Sequence, residues 1–271
     1  MTKKHVYTKA DILAQLEAMQ APRDRVVLMH SSLRLVGQVE GGAKGLLDAL
    51  IDYFTANGGL FCVPTHTWAN LSHPEQYTLD MEDPHTCLGA FSDVAVADGR
   101  GIRSENPTHS MVVFGDRARA EAFIKDEPFV TSGTAPSSCY GKLYEQGGSV
   151  LLVGVAHNKN TYLHCVEELL GMTNRLSQPR PVTVRRLDGS VIHRELCSHH
   201  TDFTKDVSQR FPKYETAFRY HGAITDGFVG YAPTQLCDAR LMKQVVELIL
   251  SRAEGADPLI DERAIAPSWY V

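Results

Sequence analysis

The chain has 271 residues, 43% of them hydrophobic and 22% charged, with a formal net charge of −5. That balance is ordinary for a globular protein and excludes a disordered chain, a coiled coil and a collagen-like repeat. The length admits one large domain or two small ones, with ample apolar surface for a core, and an isoelectric point near 6.2 gives no sign of a nucleic-acid-binding face.

The opening segment MTKKHVYTKADIL lacks the apolar run of a signal peptide. Residues 8–20 place Ile12, Leu13, Leu16 and Met19 on one helical face, with Thr8 as the cap. The apolar run 25–30 reads as a buried strand. Helical spacing returns at Leu46, Leu47, Leu50, Ile51 and Phe54 and stops at Gly58-Gly59, and residues 60–64 read as the next strand. This order predicts parallel strands joined by a right-handed crossover. Residues 65–110 are polar, contain Pro and His, and show little periodicity. A loop of that length inside a domain is usually functional or disordered.

Residues 111–115 and 149–154 predict two more buried strands, and 116–124 and 161–170 two helices. The stretch 182–196 reads as a hairpin, with Asp188-Gly189 suited to a type I′ turn. Its antiparallel pairing makes the expected sheet mixed. Residues 233–252 carry Leu236, Leu241, Val245, Val246, Ile249 and Leu250 at helical spacing, with Pro233 in the first turn. No repeat, low-complexity stretch or linker divides the chain, so one domain over residues 1–271 is expected. Six cysteines without any Cys-x-x-Cys pair, and no run near the ~20 apolar residues that span a bilayer, point to a cytoplasmic protein with reduced thiols and no membrane partner.

Three segments place polar groups directly after apolar strand-like runs, where ligands gather in open α/β sheets. In His30-Ser31-Ser32-Leu33-Arg34, the hydroxyls and free amides suit phosphate or amide oxygens, or else a serine simply caps a short helical turn. Pro64-Thr65-His66-Thr67-Trp68 reads as a cleft wall with a stacking ring, or as a loop histidine and an aromatic lid. In the stretch 158–167, His164 and Glu167 are three apart and share a helix face. A carboxylate beside an imidazole fixes its tautomer and makes a general base, although such a pair is also common on surfaces. Near residue 100, Arg103, Ser104 and His109 could hold a phosphate or an amide, or belong to a polar loop turning at Asn106-Pro107. There is no P-loop, no GxGxxG after a strand, no GxSxG elbow and no zinc-type ligand spacing, so no metal is expected.

The order of these segments closely resembles the aminoglycoside 3-N-acetyltransferase family over about residues 25–250. The matching motifs are HSSLR-x-V-G (His30 to Gly37) with Gly41-Gly42, Pro64-Thr65, Arg103-Ser104 with Pro107 and Ser110, and Thr161, His164 and Glu167. Residues 227–242 look like the family's closing segment. The resemblance implies an α/β fold built on a mixed central sheet flanked by helices, distinct from the commoner acetyltransferase fold, with acetyl-coenzyme A as donor. It maps the cofactor contacts onto Ser31, Ser32, Leu33, Val36 and Gly37, with Arg103, Ser104 and His109 as further candidates.

By the same resemblance the acceptor is an aminoglycoside, acetylated on the 3-amino group of its 2-deoxystreptamine ring, and the outcome is antibiotic resistance. The implied partner is thus a small cationic amine, bound by a monomer or homodimer. His164 is the expected base, because an amine attacks a thioester only when neutral, with Glu167 beside it either to orient the ring or to bind the incoming cation. Amides near Ser31–Ser32 or Thr65 are the expected oxyanion donors. One departure stands out: many family members carry an acid where this chain has Asn158. Thr65, Thr161, Glu82, Asp83 and Asp226 complete the expected acceptor contacts. The alternatives are a different amine as acceptor, or a protein that binds CoA without turning it over.

Overall fold

The structure of the protein is a computed structural model that describes residues 5–199, 206–260 and 264–271. A short strand, β1 (Val6–Tyr7), leads into helix α1 (Lys9–Ala18). A reciprocal cap fixes the start of α1: Thr8 Oγ1 accepts from the Asp11 amide, and the Asp11 carboxylate accepts from the Thr8 amide at 2.8 Å. Strand β2 (Val26–Ser31), the four-residue helix α2 (Leu33–Val36), strand β3 (Gln38–Val39), helix α3 (Gly42–Thr55) and strand β4 (Leu60–Pro64) follow. As expected from the order of elements, β2 and β4 pair in parallel across α3.

The stretch expected to be irregular contains β5 (Leu79–Asp80), helix α4 (Ala90–Ala97) and β6 (Ile102–Arg103). Helix α4 escapes a periodicity reading because AFSDVAVA is two turns long and commits only Phe91, Ser92 and Ala95 to the interior. Next come β7 (Met111–Phe114), α5 (Arg117–Ile124), α6 (Cys139–Glu145), β8 (Ser149–Val153) and α7 (Tyr162–Leu169). The chain continues through β9 (Arg180–Arg185), β10 (Val191–Leu196), α8 (Glu215–Tyr220), β11 (Ile224–Val229), β12 (Ala232–Asp238) and α9 (Ala239–Arg252).

The main sheet has seven strands in the order β11-β12-β8-β2-β4-β7-β6. Its centre, β8-β2-β4, is parallel, and the strands outside it run antiparallel to their neighbours. The sheet is therefore mixed, but not because of the hairpin at 182–196. That hairpin forms a separate three-stranded sheet with β5. Its turn also differs from expectation: the Gly189 amide donates to Arg186 O, and Gly189 alone takes a positive φ of 80°. A type I′ turn needs positive φ at both central residues, and Asp188 does not supply it. Asp188 instead accepts from the amide and hydroxyl of Ser190.

A second correction concerns Pro233, which lies in β12 opposite Phe228 and not in a helix. Helix α9 starts six residues later, where Asp238 accepts from the Leu241 amide at 2.9 Å. The apolar residues before Asp238 matched a helical period by spacing, but pairing on both sides, with β11 and β8, holds them extended.

Both faces of the sheet are covered, which explains the unbroken apolar runs in β2, β4 and β8. Val26, Leu28, Leu60, Val150 and Leu152 pack under α6, α7 and α9, while Val27, Met29, Phe61, Leu151 and Val153 pack under α1, α3 and α4. All six cysteines are free. Among the described residues no helix is long and apolar enough to cross a membrane.

Candidate active site

The carboxyl ends of the three parallel strands open into one cavity of about 1110 Å³. Strand β2 delivers His30, Ser31, Ser32 and Leu33; β4 delivers Pro64 and His66; the turn after β8 delivers Asn158, Lys159, Thr161 and His164. His109, Trp68, Arg180, His199 and Asp206 complete much of the wall. Open α/β sheets place ligands at this edge.

Among the described residues five histidines line this space, each held differently. His164 Nδ1 stands 3.4 Å from Glu167 Oε2, and its ring lies against His199 with centroids 4.1 Å apart and meets Phe211 edge-on at 4.8 Å. His199 Nε2 is 2.6 Å from Thr134 Oγ1 and 3.4 Å from Glu168 Oε1. His66 Nε2 shares a hydrogen bond of 2.8 Å with the Tyr140 hydroxyl, and its ring is 4.6 Å from that of His109. Burial holds His30 down at about 3. Burial, reinforced by neighbouring imidazoles, also lowers His66, His109 and His199, so these rings stay neutral near pH 7.

Behind His164 the carboxylate of Glu167 is 1% exposed. A carboxylate only accepts hydrogen bonds, so it selects the tautomer with the proton on Nδ1. The nitrogen left for a substrate is then Nε2. Glu168, one residue on, accepts from Ser132 and Thr134 hydroxyls and serves His199. Adjacent carboxylates on one helix thus support two stacked imidazoles.

Of the residues expected in the site, Ser31, Ser32, Leu33, His109, Asn158, Thr161 and His164 line the cavity. Ser32 stands at a helix start without making a side-chain cap, so the capping alternative does not account for its hydroxyl. The remaining residues are used elsewhere. Arg103 donates to the backbone carbonyls of Asp83 (2.7 Å), Asp80 and Thr65, clasping the 65–110 segment. Ser104 donates to buried Glu127, and Val36 is buried with its carbonyl accepting from Tyr231. Gly37 abuts the Tyr231 ring. Thr65 bonds Ser110, Glu82 pairs with Arg185, the Asp83 side chain accepts from the His85 amide, and Asp226 pairs with Arg219. The amides of Ser32 and Thr65 are also taken, by Val153 O at 2.9 Å and Ser110 O at 2.7 Å, and so are not oxyanion donors here.

His199, Glu168 and Asp206 carried no signal in the sequence. His199 follows a strand of the small sheet, 35 residues after its partner His164, and no local spacing links them. The same folding brings one donor atom each from His164, Glu167 and His199 within 4.8 Å of one another, a potential metal-ligand set that a search for short ligand spacings does not find.

Comparison with known proteins agrees with this architecture. The profile of the aminoglycoside 3-N-acetyltransferase family matches residues 28–251. Aminoglycoside N(3)-acetyltransferase IV of Salmonella sp is 28% identical over 262 residues, covering 95% of this chain and 91% of the relative. The aminoglycoside N(3')-acetyltransferase-like protein YokD of Bacillus subtilis is 26% identical, covering 84% and 87%. Among solved structures, a histidine-to-alanine mutant of aminoglycoside acetyltransferase AAC(3)-IVa in complex with gentamicin superposes with a TM-score of 0.76 at 26% identity, over 96% of this chain and 93% of that one. AAC-IIIb with CoASH shares the fold with a TM-score of 0.72 at 23% identity, covering 89% and 94%.

Proposed function

The chain belongs to the aminoglycoside 3-N-acetyltransferase family, and from that premise we propose that it moves the acetyl group of acetyl-CoA onto an amino group of a small cationic acceptor. The 3-amino group of an aminoglycoside is the first acceptor to test. The observation that carries this reading is His164 on the cavity wall with Glu167 buried behind it, which leaves Nε2 as the ring nitrogen unpaired by the carboxylate.

An amine in water is mostly protonated and has no lone pair to donate. The ammonium first loses one proton to water; the neutral nitrogen then attacks the thioester carbon while His164 Nε2 takes a second proton from it. The C–N bond forms, the C–S bond breaks, and the imidazolium returns the proton to the leaving sulfur. Glu167 keeps the ring in the productive tautomer and balances its transient charge. Lys159 and Arg180, both on the wall, are the cations available to the phosphates of the donor, with Ser31, Ser32 and Leu33 at the β2 edge beside the thioester arm.

A second acceptor class is favoured by one feature. Among the described residues lining the cavity, Asp206 is the only carboxylate, and Asn158, where the family resemblance implies an acid, carries no charge. With one carboxylate on the wall a polycation gains little over a monoamine, so an amine of lower charge is the rival acceptor. Release of free thiol from acetyl-CoA, measured with gentamicin, apramycin and a panel of monoamines, distinguishes the two. Turnover confined to monoamines rejects the aminoglycoside assignment, and calorimetric CoA binding without turnover on any amine rejects the enzyme reading. Raised drug tolerance of a susceptible host expressing the protein is the expected result for a resistance role.

A further inference from the structure

Behind His164 lies a charge chain that the reaction itself does not require. Arg175, in a short turn after α7, is fully buried. Its Nε donates to Glu167 Oε1 at 3.0 Å and its Nη2 to Asp257 Oδ2 at 2.5 Å. Asp257 lies beyond α9, 82 residues away in sequence, and is itself pinned: its Oδ1 accepts from the amides of Leu259 at 3.0 Å and Ile260 at 3.3 Å. Each oxygen of Glu167 therefore has one duty, Oε1 to Arg175 and Oε2 to His164. That division fixes the plane of the carboxylate.

Stability alone does not explain the arrangement. A buried ion pair is weak evidence for stability, because apolar side chains of similar volume often serve as well. Here the pairing also leaves Arg175 Nη1 buried without a partner, a cost that an apolar side chain would avoid. Among the described residues the neighbouring Glu168–His199 pair has no such cation and is held by the hydroxyls of Ser132 and Thr134. The guanidinium is thus specific to the carboxylate that faces His164. Its planar fork can span two carboxylates at a set angle, which a lysine ammonium cannot.

We propose that Arg175, anchored by Asp257, is a positioning residue: it holds Glu167 so that the carboxylate accepts a hydrogen bond from the Nδ1–H of His164 and leaves Nε2 unprotonated toward the cavity. The proposal rests on the reading of His164 as the base, and its test separates the two. Full-length protein labelled with 15N-histidine reports the His164 tautomer in two-bond 1H–15N spectra, with His164→Gln assigning the signal.

The wild type should show the proton on Nδ1. Arg175→Met should move population to the Nε2–H form and lower kcat by about 10²-fold or more, since a wrong tautomer is costly to a general base, with KM for acetyl-CoA little changed. Arg175→Lys should restore part of both, whereas a role in mere space-filling would be served better by Met. Asp257→Asn should shift both in the same direction by less. A folded Arg175→Met variant that keeps the Nδ1–H form overturns the proposal. If that variant does not fold, Asp257→Asn decides, and an unchanged tautomer there overturns it equally. A shifted tautomer with undiminished turnover supports the positioning role and overturns His164 as the base instead.

Discussion

Replacing His164 with alanine separates chemistry from folding, and both consequences can be worked from the geometry. General-base assistance contributes about 10²–10⁴-fold to a rate, so the variant should lose about 3–6 kcal/mol of transition-state stabilisation at ~1.4 kcal/mol per decade. The structural loss is smaller. The ring makes two aromatic contacts, stacked on His199 and edge-on with Phe211, each worth about 0.5–1.5 kcal/mol. Glu167 keeps its ion pair with Arg175, so no charge is stranded. For a chain of this size about 1–3 kcal/mol lowers the melting temperature by roughly 2–12 °C, which leaves the variant folded at 25 °C. The assay is acetyl-dependent thiol release at saturating acetyl-CoA, with calorimetry to confirm that CoA still binds. Near-wild-type turnover by the variant would refute His164 as the base; loss of turnover together with loss of CoA binding would show that the defect lies in the donor site.

Burial holds His157 at about 4, with Glu215 opposing weakly. An unfolded chain takes up that proton near its ordinary value of ~6.5. The stabilisation is thus present above that value and is lost as pH falls through the window to 4, by about 3 kcal/mol; urea midpoints of His157→Gln should fall less steeply than those of wild type over this range, and equal slopes would contradict the assignment. Burial alone would raise Glu168, but hydrogen bonds from His199, Ser132 and Thr134 outweigh it and hold it low. Glu168→Ala strips these groups of their acceptor and should cost about 2 kcal/mol or more, read as a fall in melting temperature; an unchanged melting curve would contradict it. At Gly133 an added Cβ would meet the His109 ring 2.1 Å away. Gly133→Ala should therefore push His109 into the cavity and raise the KM for substrates more than it lowers the melting temperature, and unaltered kinetics would show that the ring yields elsewhere.

Much of the framework was legible because the information is local. The cap at Thr8, the apolar runs of β2, β4 and β8, the helix after Thr161 and the His164–Glu167 spacing each depend on residues within one or two turns. Pro233 shows where local information fails: its segment carries helical spacing, yet pairing with strands from either side makes it extended. Arg103 shows the same for chemistry. A basic residue beside serine in a polar loop suits a phosphate, but the carbonyls of Asp80, Asp83 and Thr65 surround its guanidinium first.

The sequence by itself determined the strands β2, β4, β7 and β8, the strand ends that carry polar groups, and the shared helix face of His164 and Glu167, since these follow from side-chain periodicity along one chain segment. Tertiary structure alone decided that His199 stacks on His164, that Arg175 and Asp257 stand behind Glu167, and that Arg103, Glu82 and Asp226 point away. The reason is physical: a buried charge or ring is placed by whichever partners the closing of the fold brings to it, and those partners lie tens of residues away in the chain, beyond the reach of any local period.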